Sequence, residues 1–497
     1  MKLHPRRVNR TAVLRHCGAS FVIAVASATI LATGCGGGGP RGGSMGPTFS
    51  GNTTVALLAS STANGQLTGF AAEITSLTLT DETGKQVVLI SSPVDEEFIH
   101  LNGAVEPLAT LSIPQEIYVS ATATADIMDP LCSGQVPGEL YSAQMANTEG
   151  VTVNLPAPIP VTGNVMGLVL DLDVSESTPF SGACPTSLAT VPQVASVFNL
   201  LPMTIAAEPT NSMNGKAFGL RGIVSSVATG GSTVTVNSLS SDSSFHSPSW
   251  TATVGSATAL QGGLTASELV AGAAVDMDVT IQQDGSLLAT RVARIDAALP
   301  DLTVAAGPLL GVSAAEPAVF FDATAQEGFL SPYLGGAQNY TVAKTTYQVS
   351  SQLDNVATLP FAASFSSTNL VAGQRVLVGS QATGIGLGSN YVPLTRVTLL
   401  PQTIDGTVSI ISTEGSFTTY TVRLATYDLF PIFAKQPGQT TLLKAPDTVV
   451  VYADSNAQML NSGAIGVGSV ARFYGLVFND GGTLRMDCAQ VSDGVAD

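Results

Sequence analysis

Glycines recurring at domain-length spacing constrain this chain more than any other feature. The stretches GIVSSVATGGS from Gly222 and GTVSIISTEGS from Gly406 align without a gap. They agree at Gly222/Gly406, Val224/Val408, Ser225/Ser409, Thr229/Thr413, Gly231/Gly415 and Ser232/Ser416. Later in each unit comes a Gly-x-x-apolar strand: VAGAAVDMDV with Gly272, VAGQRVLVGS with Gly373 and GVGSVARFYG with Gly468. These glycines stand 101 and then 95 residues apart. Solenoid repeats run roughly 20–50 residues, so the period belongs to tandem small domains. The first and third strands lead into QQDGSLLATRVARI and FNDGGTLRMDCAQV, whose Asp-Gly pairs suit tight β-hairpins. A threonine opens a strand in each copy, at Thr258, Thr346 and Thr448. The middle copy lacks a clear opening motif, because GPLLGVSAAEPAVFF matches poorly.

Residues 53–208 read differently. EITSLTLTDETGKQVVLI is strand, turn at Gly84, strand, and LATLSIPQEIYVSATATADI is a strand pair hinged near Pro114. GLVLDLDVSES alternates, with Leu168, Leu170, Leu172 and Val174 on one face and Asp171, Asp173 and Ser175 on the other. Charged residues make up 11% of the chain against about 25% in ordinary soluble proteins. The abundance of Thr, Ser, Val, Ala and Gly favours short strands and turns. The expected fold class is all-β: an N-terminal β-sandwich followed by about three tandem small β-barrel, OB-like domains. Their expected spans are 53–208, 215–298, a degenerate 305–400, and 404–492. The order FIHLNG, LSIPQEIYVSATATA and GLVLDLDVSES resembles an uncharacterised β-sandwich domain of bacterial lipoproteins. The glycine pattern after residue 215 resembles a family of uncharacterised β-barrel repeats in bacterial lipoproteins and exported proteins. Neither resemblance implies a catalytic residue.

The N-terminus points to export. Lys2, Arg6, Arg7, Arg10 and Arg15 precede ASFVIAVASATILA, an apolar run of signal-peptide length with no acidic residue before it. A membrane-spanning helix needs roughly 20 strongly apolar residues, which this run does not supply. Arg6-Arg7 is followed by Asn9 and Arg10, where a twin-arginine signal has apolar residues. LATGC resembles a bacterial lipobox, which implies a lipoprotein signal over residues 1–35 that is cut just before Cys35, and lipidation of Cys35. An ordinary secretory signal or an uncleaved anchor is the alternative. Gly36, where an Asp is absent, implies by the same resemblance delivery to the outer membrane, and residues 36–52 become a glycine-rich tether. The leader holds five of the 19 basic and none of the 36 acidic residues, leaving 14 against 36 and a net charge of −22. So acidic a surface repels phosphate backbones, so no nucleic-acid partner is expected. Cys132 and Cys184 are candidate disulfide partners in an oxidising compartment, two free thiols being the alternative. Cys488 alternates with strand residues and reads as a buried thiol.

Candidate sites are few. Gly42-Gly43-Ser44-Met45-Gly46 has the Gly-x-Ser-x-Gly spacing of a nucleophile elbow but lies in the tether, not at a strand-to-helix turn. Gly384, Gly386 and Gly388 have neither a lysine nor a helix after them to make a nucleotide loop. His100 and His246 lie near no recognisable acid motif, so neither a Ser-His-Asp site nor a zinc site is expected. Asp171 with Asp173, and Asp276 with Asp278, are carboxylate pairs on one strand face. The first is a candidate calcium or ligand site; the wet face of a half-buried strand explains both. Trp250 with Phe245 is a candidate sugar platform, against a lone core or loop tryptophan. The sequence thus predicts no catalytic residue, cofactor or metal. It predicts a lipid-anchored cell-envelope protein with a structural or interaction role, its barrels serving as a spacer. Binding of carbohydrate or another polymer is the runner-up, an envelope hydrolase a distant third, and any protein or polysaccharide partner is unidentified.

Overall fold

Valine-, threonine- and leucine-rich strands broken at glycine turns make the chain all-β in a computed structural model. The structure describes residues 49–62, 67–127, 131–133, 140–142, 144–145, 151–178, 193–205, 215–239, 246–296, 303–315, 318–324, 327–329, 337–342, 345–350, 358–380, 392–425, 428–434, 443–460 and 465–493. The first segment holds β1 (Asn52–Ser61), β2 (Ala71–Asp81), β3 (Gln86–Ile90), β4 (Val94–Glu97), β5 (Val105–Pro114) and β6 (Ile117–Ile127). It continues with β7 (Leu131–Ser133), β8 (Leu140–Ser142), β9 (Gln144–Met145), β10 (Thr152–Asn154), β11 (Ile159–Pro160), β12 (Val165–Leu172), β13 (Gln193–Val194) and β14 (Val197–Met203). One sheet has the order β10-β14-β12-β1-β5 and a second β11-β6-β2-β3, with β4 beside β2; β7 pairs β8 and β9 pairs β13. Leu57 of β1, Leu168, Leu170 and Leu172 of β12, and Ile74 and Leu77 of β2 fill one core between the two sheets. Phe98 stacks edge-to-face on Phe198 there, 5.0 Å between centroids.

The hairpin expected around Gly84 is present as β2 and β3, with that glycine at φ 86°. The strands flanking Pro114 are not a hairpin: β5 pairs with β1, and β6 crosses to β2 in the other sheet. Pro114 ends one ladder, and the Tyr118 hydroxyl donates to its carbonyl at 3.0 Å across the corner.

Three further β units follow. The first is β15 (Lys216–Val227), β16 (Thr233–Ser238), β17 (Ser249–Thr253), β18 (Ala259–Gln261), β19 (Ala274–Ile281) and β20 (Leu287–Asp296). The second is β21 (Thr303–Ala315), β22 (Ala318–Thr324), β23 (Glu327–Phe329), β24 (Ala337–Thr341), β25 (Thr346–Val349), β26 (Arg375–Ser380), β27 (Val392–Pro393) and β28 (Arg396–Leu399). The third is β29 (Gln402–Glu414), β30 (Phe417–Leu424), β31 (Thr448–Leu460), β32 (Val470–Asp480) and β33 (Thr483–Asp493), a closed barrel. All three follow one path. The opening strand pairs antiparallel with the second, the second with the third, and the third runs parallel to the last. The last pairs antiparallel with the fourth, and the fourth returns to the first. In the middle unit the last strand is split into β27 and β28.

The same backbone clamp closes each unit. Gly272, Gly373 and Gly468 each donate their N–H at 2.8 Å to the carbonyls of Val224, Leu309 and Val408 respectively. Those three residues donate back to Ala273, Gln374 and Ser469 at 2.8–2.9 Å. The glycines sit at φ 89°, 98° and 90°, a turn geometry side chains disfavour. The clamp supplies the opening motif that the middle copy lacks in sequence: Gly307 stands two residues before Leu309, as Gly222 and Gly406 stand before their valines. Pro308 and Leu309 hide the match, although the backbone pairing is kept. The threonines align less well. Thr346 and Thr448 do open β25 and β31, and Thr258 immediately precedes β18, but the side-chain bonds differ: Thr258 and Thr345 donate to the Ala289 and Leu394 carbonyls at 2.7 and 2.9 Å.

Outer faces are also buried, so the segments share cores. Ala56, Leu58 and Val169, on the far face of the first sheet, pack with Leu220 and Val279 of the first of these units. Ala274 joins Val304 and Leu377 of the second, and Leu399 of the second joins Leu476 and Phe478 of the third. The third unit returns to the first segment, where Gly103 lies against Arg472 and Asn102 hydrogen-bonds Asp405.

Candidate functional site

A cavity of about 100 Å³ lies where all four segments meet. The 3₁₀ turn Ile99–Leu101 and Glu106 line it from the first segment, and Arg221 lines it from the next. Arg375 enters from the middle unit, with Asp405, Asp428 and Tyr474 from the last.

The local chain Glu96-Glu97-Phe98-Ile99-His100 builds its most ordered wall. Glu97 is completely buried and accepts from the backbone N–H groups of Phe70 (2.9 Å), Ile99 (3.2 Å) and His100 (2.9 Å). His100 Nδ1 contacts the Glu97 carbonyl oxygen and lies 3.3 Å from Glu97 Oε2. Its Nε2 lies 3.4 Å from Glu106 Oε2. Arg375 Nη1 donates to the His100 carbonyl at 3.3 Å, joining segments 275 positions apart.

The opposite wall is acidic. Burial pushes Asp405 above the usual carboxylate range, although Arg472 and Asn102 pull it back. Asp428 is pushed up to about 7 by burial, opposed by a hydrogen bond from the Phe430 N–H and reinforced by the charge of Asp405. Burial also raises the Tyr474 hydroxyl. A carboxyl whose folded-state pKa is raised binds its proton more tightly in the native chain. Its stabilising contribution is complete near pH 4 and is lost as pH rises through about 7. Asp428→Asn should therefore melt higher than the wild type at pH 8, and the gap should close as pH falls to about 4. Thermal melts at the two pH values check this.

The carboxylate pairs are engaged by hydrogen bonds and ion pairs within the fold. Asp171 is buried, accepts from Ser60 Oγ at 2.7 Å, and is pushed up to about 6 by burial. Asp173 caps the helical turn α1 (Val174–Ser177), accepting from Glu176 N (3.0 Å), Ser175 Oγ (2.8 Å) and Asn199 Nδ2 (3.0 Å). Among the described residues neither belongs to a group of three or more metal-ligating side chains. Asp276 and Asp278 are not on a wet face. Asp276, 1% exposed, lies 2.5 Å from Arg291 Nη2 and 3.3 Å from Arg221 Nη1. Asp278 Oδ2 meets Arg291 Nε at 2.6 Å, and its Oδ1 accepts from the Gly219 N–H at 2.9 Å. Strand alternation sent them outward as expected, but Tyr474 of the last unit comes against this charged cluster.

Trp250 is 3% exposed and packs in a core with Val234 and Ala252, so it offers no sugar platform. It faces inward because its register partner on β16, Val236, does. Phe245, Cys35, Cys184 and both glycine motifs lie outside the described residues, as does the Cys132 side chain. Cys488 is buried, and burial raises its thiol.

Both histidines of the described chain do meet acids. His246 Nδ1 lies 3.5 Å from Glu73 Oε1 and 4.0 Å from Asp95 Oδ2, two residues directly paired across β2 and β4. Nothing near His246 in sequence signals this. For His100 the signal was local, since Glu96, Glu97 and Glu106 all lie within six residues of it.

No protein-family model matches the chain, and no curated protein matches it in sequence. The fold defines its class as an all-β protein whose three repeated units share one strand path.

Proposed function

We propose that this is a lipid-anchored protein of the bacterial cell envelope, with a non-catalytic structural or interaction role. The lipobox-like LATGC places the anchor at Cys35, and Gly36 favours the outer membrane. The glycine-rich stretch that precedes β1 tethers the folded part. One observation carries the non-catalytic reading: charged side chains at the meeting point bond across segment boundaries. Arg375 holds the His100 carbonyl, and Asn102 holds Asp405. Groups spent in this way fix geometry and leave the barrels as parts of one head, not as an extended spacer. Carbohydrate binding has less support, because its tryptophan is buried. The membrane is the partner through the lipid, and a protein partner would be sought by crosslinking the anchored chain in envelopes. Cys35→Ser should abolish labelling by supplied palmitate and leave an uncut or soluble form. Equal labelling of both chains overturns the anchor.

A further inference from the structure

We propose that Glu96, His100 and Glu106 bind a divalent transition-metal ion of the zinc class at the edge of the junction cavity. Each offers one donor atom, and the three atoms lie within 4.8 Å of one another. The residues are 1%, 9% and 2% exposed, so the set is held inside the protein.

Three observations converge on a cation. First, the separation of His100 Nε2 and Glu106 Oε2 is 3.4 Å. Bonds of about 2.0–2.2 Å from a tetrahedral ion place neighbouring donors roughly 3.3–3.6 Å apart. Second, a carbonyl oxygen only accepts, so His100 Nδ1 must carry the proton directed at Glu97. In neutral imidazole that turns the Nε2 lone pair toward the Glu106 carboxylate, the orientation in which both could ligate one cation. Third, metal-binding histidines characteristically give their other N–H to a carbonyl or carboxylate that fixes the ring. The Glu97 backbone carbonyl is that group, and the Glu97 carboxylate, 3.3 Å from the same nitrogen, is itself fixed by three backbone N–H groups.

One imidazole nitrogen and two carboxylates suit zinc better than calcium or magnesium, which prefer all-oxygen shells. The adjoining cavity leaves room for a fourth, non-protein ligand such as water. The competing occupant of the same gap is a proton, which would make His100 an imidazolium paired with Glu106.

The half-exposed Glu73–Asp95–His246 group has similar donors and must be silenced first. The full chain carrying His246→Ala is therefore titrated with Zn²⁺ by calorimetry. One tight site per chain is expected. Adding Glu106→Gln should weaken it about 100-fold. Circular dichroism of the metal-free variants checks that each is folded. Co²⁺ added to the His246→Ala chain, which leaves the junction intact, should give intense tetrahedral visible bands that Zn²⁺ abolishes. Absence of those bands, no zinc uptake, or a folded Glu106→Gln variant binding like its parent overturns the proposal and leaves the proton in the gap.

Discussion

Gly475→Ala should be among the most damaging single methyl additions to this protein. A Cβ at that position would lie 1.9 Å from the Asp487 carbonyl oxygen and 3.0 Å from the Cys488 Cα. Both are backbone of the neighbouring strand β33, so no flexible side chain can move aside. Here the ladder between β32 and β33 also slips by one residue, which brings the two chains unusually close. The repeated Gly406 meets the same obstacle against Arg423, at 2.4 Å from its carbonyl, and Gly222 against Asn237. We expect a loss of about 3 kcal/mol for Gly475→Ala, at the upper end of ordinary overpacking. Gly255, with open space around its Cβ and no positive φ, is the control. Its alanine variant should stay within roughly 0.5 kcal/mol. Urea midpoints of the two variants decide it, and equal midpoints would refute the close approach.

Arg291→Met should cost as much or more. Arg291 spans Asp276 and Asp278 with three contacts of 2.5–2.7 Å, and Asp276 is almost wholly buried. Removing the guanidinium leaves Asp276 with Arg221, at 3.3 Å, as its remaining cationic partner among the described ion pairs. Breaking a buried ion pair from one side costs about 3–5 kcal/mol, because the stranded charge keeps its desolvation penalty. Adding Asp276→Asn to the same chain should recover part of the loss, since the uncompensated charge is then gone. Arg291→Lys should restore less than the native residue, because one ammonium cannot fork to two carboxylates. Chemical denaturation of the three variants checks the order. A stability for Arg291→Met within error of wild type would show that the network contributes nothing.

Much of this architecture is written in short-range patterns. The strand–turn–strand at Gly84 follows from period-two alternation broken by a residue free to take positive φ. The turn between β32 and β33 follows from Gly481 and Gly482, at φ 58° and 92°, the paired positive values a tight hairpin demands. Gly272, Gly373 and Gly468 mark three equivalent turns because their backbone conformation leaves few other residues acceptable. Burial of Cys488 follows from its place in an alternating strand.

What lies between segments could not be read this way. Alternation tells which side of a strand a residue occupies, but not what covers that side. Asp171, Asp276 and Asp278 were correctly placed opposite their apolar neighbours, yet the tertiary fold lays another segment over them. The middle unit's Gly307 escaped notice because the clamp it precedes is made of backbone hydrogen bonds, which no side-chain identity records. Likewise, Trp250 and His246 sit four residues apart in sequence, and packing sends one into a core and the other to two acids on the paired strands β2 and β4. Local sequence determines strand, turn and face, because those depend on φ, ψ and a two-residue period. The junction cavity and its charged walls arise from contacts between residues as far apart in sequence as Asn102 and Asp405, and only the packing of whole sheets decides those.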